Sequence, residues 1–227
     1  MELDERIWVL DTEANGENPG EIIELAAVEM EGLVLTGRYR QWRFRPKEPV
    51  NYRATRVHGI TNRDLAGCPP IEAHLDEIRA ILADHAIAGH AVHVELNALQ
   101  RVMPDWRPRK AYDTLRMVRR AFPDLERHRL SHMGDHLNLS GMAVRITGRK
   151  AHSAFYDAVL CGLILRHVAD PLQDRERGAL LEHSEIMAIR RQKEALAARQ
   201  AAKAALRRQM RGATGARPKR KGSSEDV

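Results

Sequence analysis

The chain has 227 residues, 37 Lys and Arg against 31 Asp and Glu, a formal net charge of +6 and 43% hydrophobic residues, an ordinary soluble composition with room for one full core and an appendage. No apolar run approaches the roughly 20 residues that cross a bilayer. Only Cys68 and Cys161 are present, which excludes a disulfide scaffold and a Cys-based zinc site. The acidic start (Glu2, Asp4, Glu5) is the reverse of a secretory signal, so the expectation is a cytoplasmic protein with no membrane partner.

Residues 6–11 read as a short buried strand ending in a carboxylate, followed by a turn-rich stretch over 14–20. Residues 21–30 and 33–45 read as two further strands, with Gly32 at the turn between them. Residues 46–70 look mostly irregular. Residues 71–84 carry apolar side chains at 71, 75, 78, 81 and 82, the pattern of an amphipathic helix. A buried strand over 85–90 precedes a helix over 94–103, and 112–122, 130–139 and 154–168 are further helices. Strands first and helices interleaved afterwards point to an α/β mixed sheet flanked by helices.

Beyond Pro171 the texture changes. Residues 186–221 hold 12 Lys and Arg against one acid, Glu194, and net +11, which leaves residues 1–185 at −3. A slightly acidic body with a basic extension points to an acidic polymer as partner. Arg190, Arg191, Lys203, Arg207 and Arg208 are the candidates for phosphate contacts, a solvated tail or a protein-docking helix being the alternatives. The expected organisation is a body over 1–170, a basic helical extension over 171–211, and a disordered end over 212–227.

Three clusters could carry chemistry. Asp11 and Glu13, two apart on a strand, share a face and can converge on one cation, although acids at strand ends also simply face water. Hard oxygen ligands of this kind suit Mg²⁺ or Mn²⁺. Glu95 opens a helix just after His90, where a carboxylate also suits the helix dipole. His152, where a loop enters a helix, is a proton acceptor near neutral pH, and Asp157 is a further ligand; a surface His and a capping-like acid are the plainer alternative.

Taken together, these residues resemble the DEDDh 3′–5′ exonucleases, the DnaQ-like, epsilon-subunit-like branch of the ribonuclease H-like fold. Asp11-Thr12-Glu13 matches the family's first motif, His90 through Glu95 matches the spacing of the second, and His152 with Asp157 matches the last. The stretch from His58 to Leu65, Asp113-Thr114-Leu115 with Arg119, and residues 130–139 agree with it, so the similarity spans roughly Ile7 to Val168. Three positions depart from the pattern: Glu95 replaces the usual Asp, Ala91 the usual Asn, and Ala14-Asn15-Gly16 the common Thr-Thr-Gly.

The resemblance implies a ribonuclease H-like sheet and two-metal hydrolysis of phosphodiesters with Mg²⁺ or Mn²⁺. Asp11 would bridge both ions, Glu13 and Asp157 would complete the first site, and Glu95 would support the second. His152 would take the proton from the attacking water. Thr12 would contact the terminal sugar through its backbone, and His90 would lie with the substrate, its strand-end position also allowing a structural role. The substrate would be single-stranded nucleic-acid 3′ ends, DNA first, released as 5′-mononucleotides, with a polymerase as a possible partner through the tail. An exoribonuclease of the same fold and a catalytically weak nucleic-acid-binding module are the rivals. His128, His132 and His136, four apart, read as a solvated helix face ahead of a zinc site; Trp8 reads as core, with Trp42 and Trp106 undetermined.

Overall fold

The computed structural model describes residues 6–214, with side chains at 192, 194, 195 and 205–214 left aside. Its sheet contains β1 (Arg6–Ala14), β2 (Ile22–Glu31), β3 (Val34–Arg43), β4 (Ala86–Gly89) and β5 (Ala111–Asp113) in the order β3-β2-β1-β4-β5. β1, β2 and β3 run antiparallel, and β4 and β5 join parallel to β1. Gly32, at φ 58, makes the tight β2–β3 connection, where the backbone must enter the left-handed region.

Alternation along β1 divides the interior in two. Ile7 and Val9, with Ala26, Val28, Ala86 and Ala88, face α8 (Ala154–Ala169). Trp8 and Leu10, with Leu25, Ala27 and Ile87, face α3 (Leu75–Leu82) and α4 (His93–Val102). Thirteen of the sixteen residues of α8 are buried, because sheet covers one side and α5 (Thr114–Ala121), α6 (Leu130–His136) and α7 (Ser140–Thr147) cover the other. Each fully buried Leu or Ile there contributes about 1.5–3 kcal/mol. A Cβ on Gly162 would sit 3.0 Å from Leu35 Cδ2 and 3.3 Å from Met30 Sδ, so glycine is what lets α8 settle this closely onto the sheet.

Several elements differ from the sequence expectations. The stretch 46–70 contains α1 (Tyr52–His58) and α2 (Asn62–Leu65), built on caps and not on an apolar stripe. Asn51 accepts from Ala54 N, Thr61 and Asp64 form a capping box, and α1 buries no residue, so periodicity could not find it. The first turn of the 71–84 helix is a 3₁₀ turn, Ile71–His74. The start of the 112–122 helix is in fact β5, too short at three residues to show a period, and Asp113 closes it by capping α5. The three tryptophans are all buried: Trp42 Nε1 donates to Glu77 Oε2 (3.0 Å) and Trp106 Nε1 to the Ala83 carbonyl (2.9 Å).

The first compact unit reaches Met187, not residue 170. α9 (Asp174–Ser184) packs on α5 and β5, and Glu185 bridges to Tyr112, so this segment is part of the body. The second unit, from Ala188, consists in its described part of the helix α10 (Ile186–Thr214). That helix runs through Gly212 to Thr214; the remainder of the expected disordered end, 215–227, lies outside the described residues. Among the described residues no helix is long and apolar enough to cross a membrane.

Candidate active site

β1 and β4 are parallel neighbours, and their C-terminal ends open on the same edge of the sheet, next to the point where the connections change direction. Open α/β sheets bind ligands at such an edge. Asp11 and Glu13 lie there on the face shared with Ile7 and Val9, which is the face covered by α8. Asp157 comes to meet them from the first turn of α8. One ligand oxygen from each of Asp11, Glu13 and Asp157 lies within 4.8 Å of the other two, the only such group among the described residues. Thr12, between the two acids, points to the opposite face.

Glu95 stands outside this group of three. It arrives from the first turn of α4, is 5% exposed, and its Oε2 is buried with no hydrogen-bond partner among the described residues. A buried carboxylate oxygen without a donor costs free energy that a cation, a proton or a bound water offsets. Burial raises the Asp11 pKa well above the ordinary carboxylate value, with Glu95 the strongest neighbouring charge and Asp157 and Glu13 behind it. Burial likewise pushes Glu13 and Glu95 up to about 8, and Asp157 to about 6, with the His152 charge opposing the rise in Asp157. Four hard oxygen donors that repel one another fit a divalent cation, which would relieve both the burial and the repulsion.

These shifts predict a pH-dependent stability with a definite sign. The carboxylates hold protons to higher pH in the folded chain than in the unfolded one, so stability falls as pH rises from about 4 to about 8. Thermal melts in EDTA should therefore show a falling Tm across that window. Mn²⁺ should raise Tm more at the alkaline end than at the acid end; an equal rise at both would mean that these groups do not hold the ion.

His152 sits exposed at φ 65, a left-handed position that His tolerates better than most residues, and its backbone N–H donates to Asp157 Oδ2 at 3.0 Å. The loop therefore places His152 next to Asp157, one of the three clustered acids. His90 is placed differently. Its Nε2 donates to the His128 carbonyl at 2.7 Å and its Nδ1 accepts from the Thr114 hydroxyl at 3.0 Å. With both ring nitrogens engaged, His90 is a strut between the end of β4 and the 128 loop and has no ring nitrogen free for a hydrogen bond to a ligand. The three histidines four apart do not share a helix face either. His128 precedes α6 and donates to the Phe122 carbonyl, while His136 packs edge-on against Phe122. Of the tail candidates, Arg191 and Lys203 are exposed on α10 and Arg190 is half-buried; the Arg207 and Arg208 side chains lie outside the description.

Two site residues escaped the sequence reading. Glu24 lies directly across the antiparallel β1–β2 pair from Glu13, a like-charge pairing that normally destabilises a sheet. It is buried, with Oε1 accepting from Arg43 Nε (2.9 Å) and Oε2 from Ala154 N (3.0 Å). Glu24 thus ties the start of α8, and with it Asp157 and the His152 loop, to the sheet. The available signal was an acid inside the apolar run Ile22–Val28. The second is His58, whose pKa is lowered by burial and which feels the charges of Glu24 and His152.

Replacing Glu24 separates its two contributions. Glu24→Ala should lower kcat by about 10–100-fold, the usual cost of losing a group that orients ligands. Glu24→Gln keeps an acceptor for Ala154 N and should fall between Glu24→Ala and wild type. Equal activity in all three proteins would show that the tether is dispensable.

The exonuclease family model RNase_T matches residues 8–165. The chain is 28% identical over 176 residues to DNA polymerase III subunit epsilon of Aquifex aeolicus, covering 75% of this chain and 83% of that protein. It is 30% identical over 167 residues to the epsilon subunit of Rickettsia felis, covering 67% and 69%. Among solved structures, exonuclease X bound to 5′-overhanging duplex DNA superposes with a TM-score of 0.61 at 22% identity, over 78% of this chain and 98% of that one. The nuclease domain of 3′hExo, a DEDDh protein bound to rAMP, gives 0.59 at 16%, over 74% and 92%. With its acids converging at the strand edge where the motifs placed them, and with the model match covering most of the body, the chain belongs to the DnaQ-like DEDDh 3′–5′ exonuclease family.

Proposed function

We propose that this protein is a divalent-metal-dependent exonuclease that shortens single-stranded DNA from the 3′ end and releases 5′-mononucleotides. The observation that carries the reading is the convergence of Asp11, Glu13 and Asp157 within 4.8 Å, with Glu95, whose buried Oε2 has no partner among the described residues, bearing most strongly of the neighbouring charges on Asp11. Asp11, Glu13 and Asp157 would hold one Mg²⁺ or Mn²⁺, and Asp11 with Glu95 a second. Bound there, the cations supply Lewis-acid stabilisation of charge on the attacking and leaving oxygens.

The chain's own residues do the rest. His152, at the mouth of the site, takes the proton of the attacking water. Glu24 fixes the loop and helix start from which His152 and Asp157 act. The Thr12 backbone borders the terminal sugar. Glu95 keeps the charge of the family's Asp, with one methylene more, so its carboxylate sets the placement of the second ion. Arg190, Arg191, Lys203, Arg207 and Arg208 add sequence-independent phosphate contacts that weaken with salt. DNA as substrate is supported by the epsilon-subunit relatives, and a polymerase partner by the same likeness.

The test compares single-stranded DNA and RNA of one sequence, labelled at either end, with Mn²⁺ or EDTA. A Mn²⁺-dependent ladder shortening from the 3′ end is expected for wild type and absent for Asp157→Ala, with DNA the faster polymer. Faster loss of RNA would make the enzyme an exoribonuclease. Binding of both polymers with no cleavage would mark a binding module instead.

A further inference from the structure

The carboxylate cluster leaves a second concavity unassigned. A cleft of about 860 Å³ lies between α5 and the segment entering α6, within the roughly 300–1,000 Å³ typical of ligand sites. None of Asp11, Glu13, Glu95 and Asp157 lines it. Its walls carry the exposed side chains of Arg119, Arg127 and Arg129, and Leu115 and Leu130 add half-buried apolar surface. Among the described residues none of these three guanidiniums is engaged in a salt bridge. Glu126 and Asp135 also border the cleft, but the Asp135 carboxylate already accepts from the Ser140 hydroxyl at 2.6 Å.

His90 and the start of α5 connect the cleft to the strand edge that carries the acids. His90 lines the cleft, directly follows β4 on the way to Glu95, and fastens the 128 loop through the His128 carbonyl. Three uncommitted arginines on a body that is otherwise slightly acidic form a local attraction for a polyanion, and guanidinium forks suit phosphate oxygens. Apolar surface between them suits the faces of sugars and bases.

We propose that this cleft binds the phosphodiester backbone of the single strand whose 3′ end enters the carboxylate site, upstream of the bond that is cut. The proposal rests on the exonuclease reading for its direction and on the cleft's own charge for its ligand. Arg119, Arg127 and Arg129 act there as strand-binding residues and take no part in the chemistry.

The experiment uses the full chain, wild type beside Arg119→Ala/Arg127→Ala/Arg129→Ala and the three single variants. Fluorescence anisotropy with labelled dinucleotides and dodecamers of DNA and RNA, in Ca²⁺, reads binding without turnover. The triple variant should bind the dodecamer at least about tenfold more weakly, and its slope of log affinity against log salt should shrink by roughly 2, at about 0.7 per lost phosphate contact. Dinucleotide binding, and Mn²⁺-dependent hydrolysis of the p-nitrophenyl ester of thymidine 5′-phosphate, should be unchanged. Dodecamer binding and a salt slope equal to wild type would overturn the proposal. The exposed single variants Arg127→Ala and Arg129→Ala carry the test if the triple variant does not fold. Wild type that hydrolyses nothing would defeat the exonuclease reading alone, because the anisotropy still decides the cleft.

Discussion

Asp11→Asn should lower the rate of 3′-end hydrolysis by at least about 10³-fold, close to 4 kcal/mol of transition-state stabilisation at 1.36 kcal/mol per decade. Asp11 is the carboxylate on which Glu95, Asp157, Glu13 and Glu24 all bear, so in the proposed two-ion site it would be the ligand common to both positions. The same substitution removes a buried negative charge from a self-repelling cluster. In EDTA above pH 7 the variant should therefore melt at a higher temperature than wild type, and Mn²⁺ should no longer raise its Tm. Inactivity with greater metal-free stability is the pattern of a site whose strain serves function. A variant that loses activity and also melts lower in EDTA would instead show Asp11 to be structural.

His152→Ala should cost about 10²–10⁴-fold in kcat, the range for loss of a positioned proton acceptor. The substitution leaves Asp157 in place, because the bond to its carboxylate comes from the backbone N–H of residue 152 and not from the ring. Stabilisation by Mn²⁺ should therefore survive, which separates this variant from Asp11→Asn. Added imidazole should restore part of the rate, since the residue is exposed and the space it vacates opens to solvent. Loss of the Mn²⁺ response in His152→Ala would show that the ring holds the metal site and does not move a proton.

Glu95 illustrates how local sequence and tertiary setting divide the work. From the sequence, a Glu in the first turn of a helix is, taken alone, better explained by the helix dipole than by catalysis. In the fold, its Oε2 is buried without a donor and its pKa rises to about 8 through burial and the nearby Asp113 charge. Ala91 is a comparable case. It replaces the family's Asn and sits at φ 71, a conformation that Asn adopts more readily than Ala, with its N–H donating to Asp113 Oδ1 at 3.0 Å. The buried Asp113 holds that turn and the start of α5 together.

The sequence by itself determined the alternating strand that puts Asp11 and Glu13 on one face, the apolar length of α8 with Asp157 in its first turn, and the motif spacing that identified the family. Each is a short-range property, legible because strand and helix repeat every 2 and 3.6 residues. Only the tertiary structure decided which distant groups meet. It set Glu24 against Glu13 and tied it to Ala154, 130 residues away in the chain. It occupied both nitrogens of His90, removed the histidine triplet as a metal site, extended the body to Met187, and gathered three arginines around a cleft. Strand register and side-chain burial govern these outcomes, and both come from contacts between segments far apart in sequence, which no local pattern encodes.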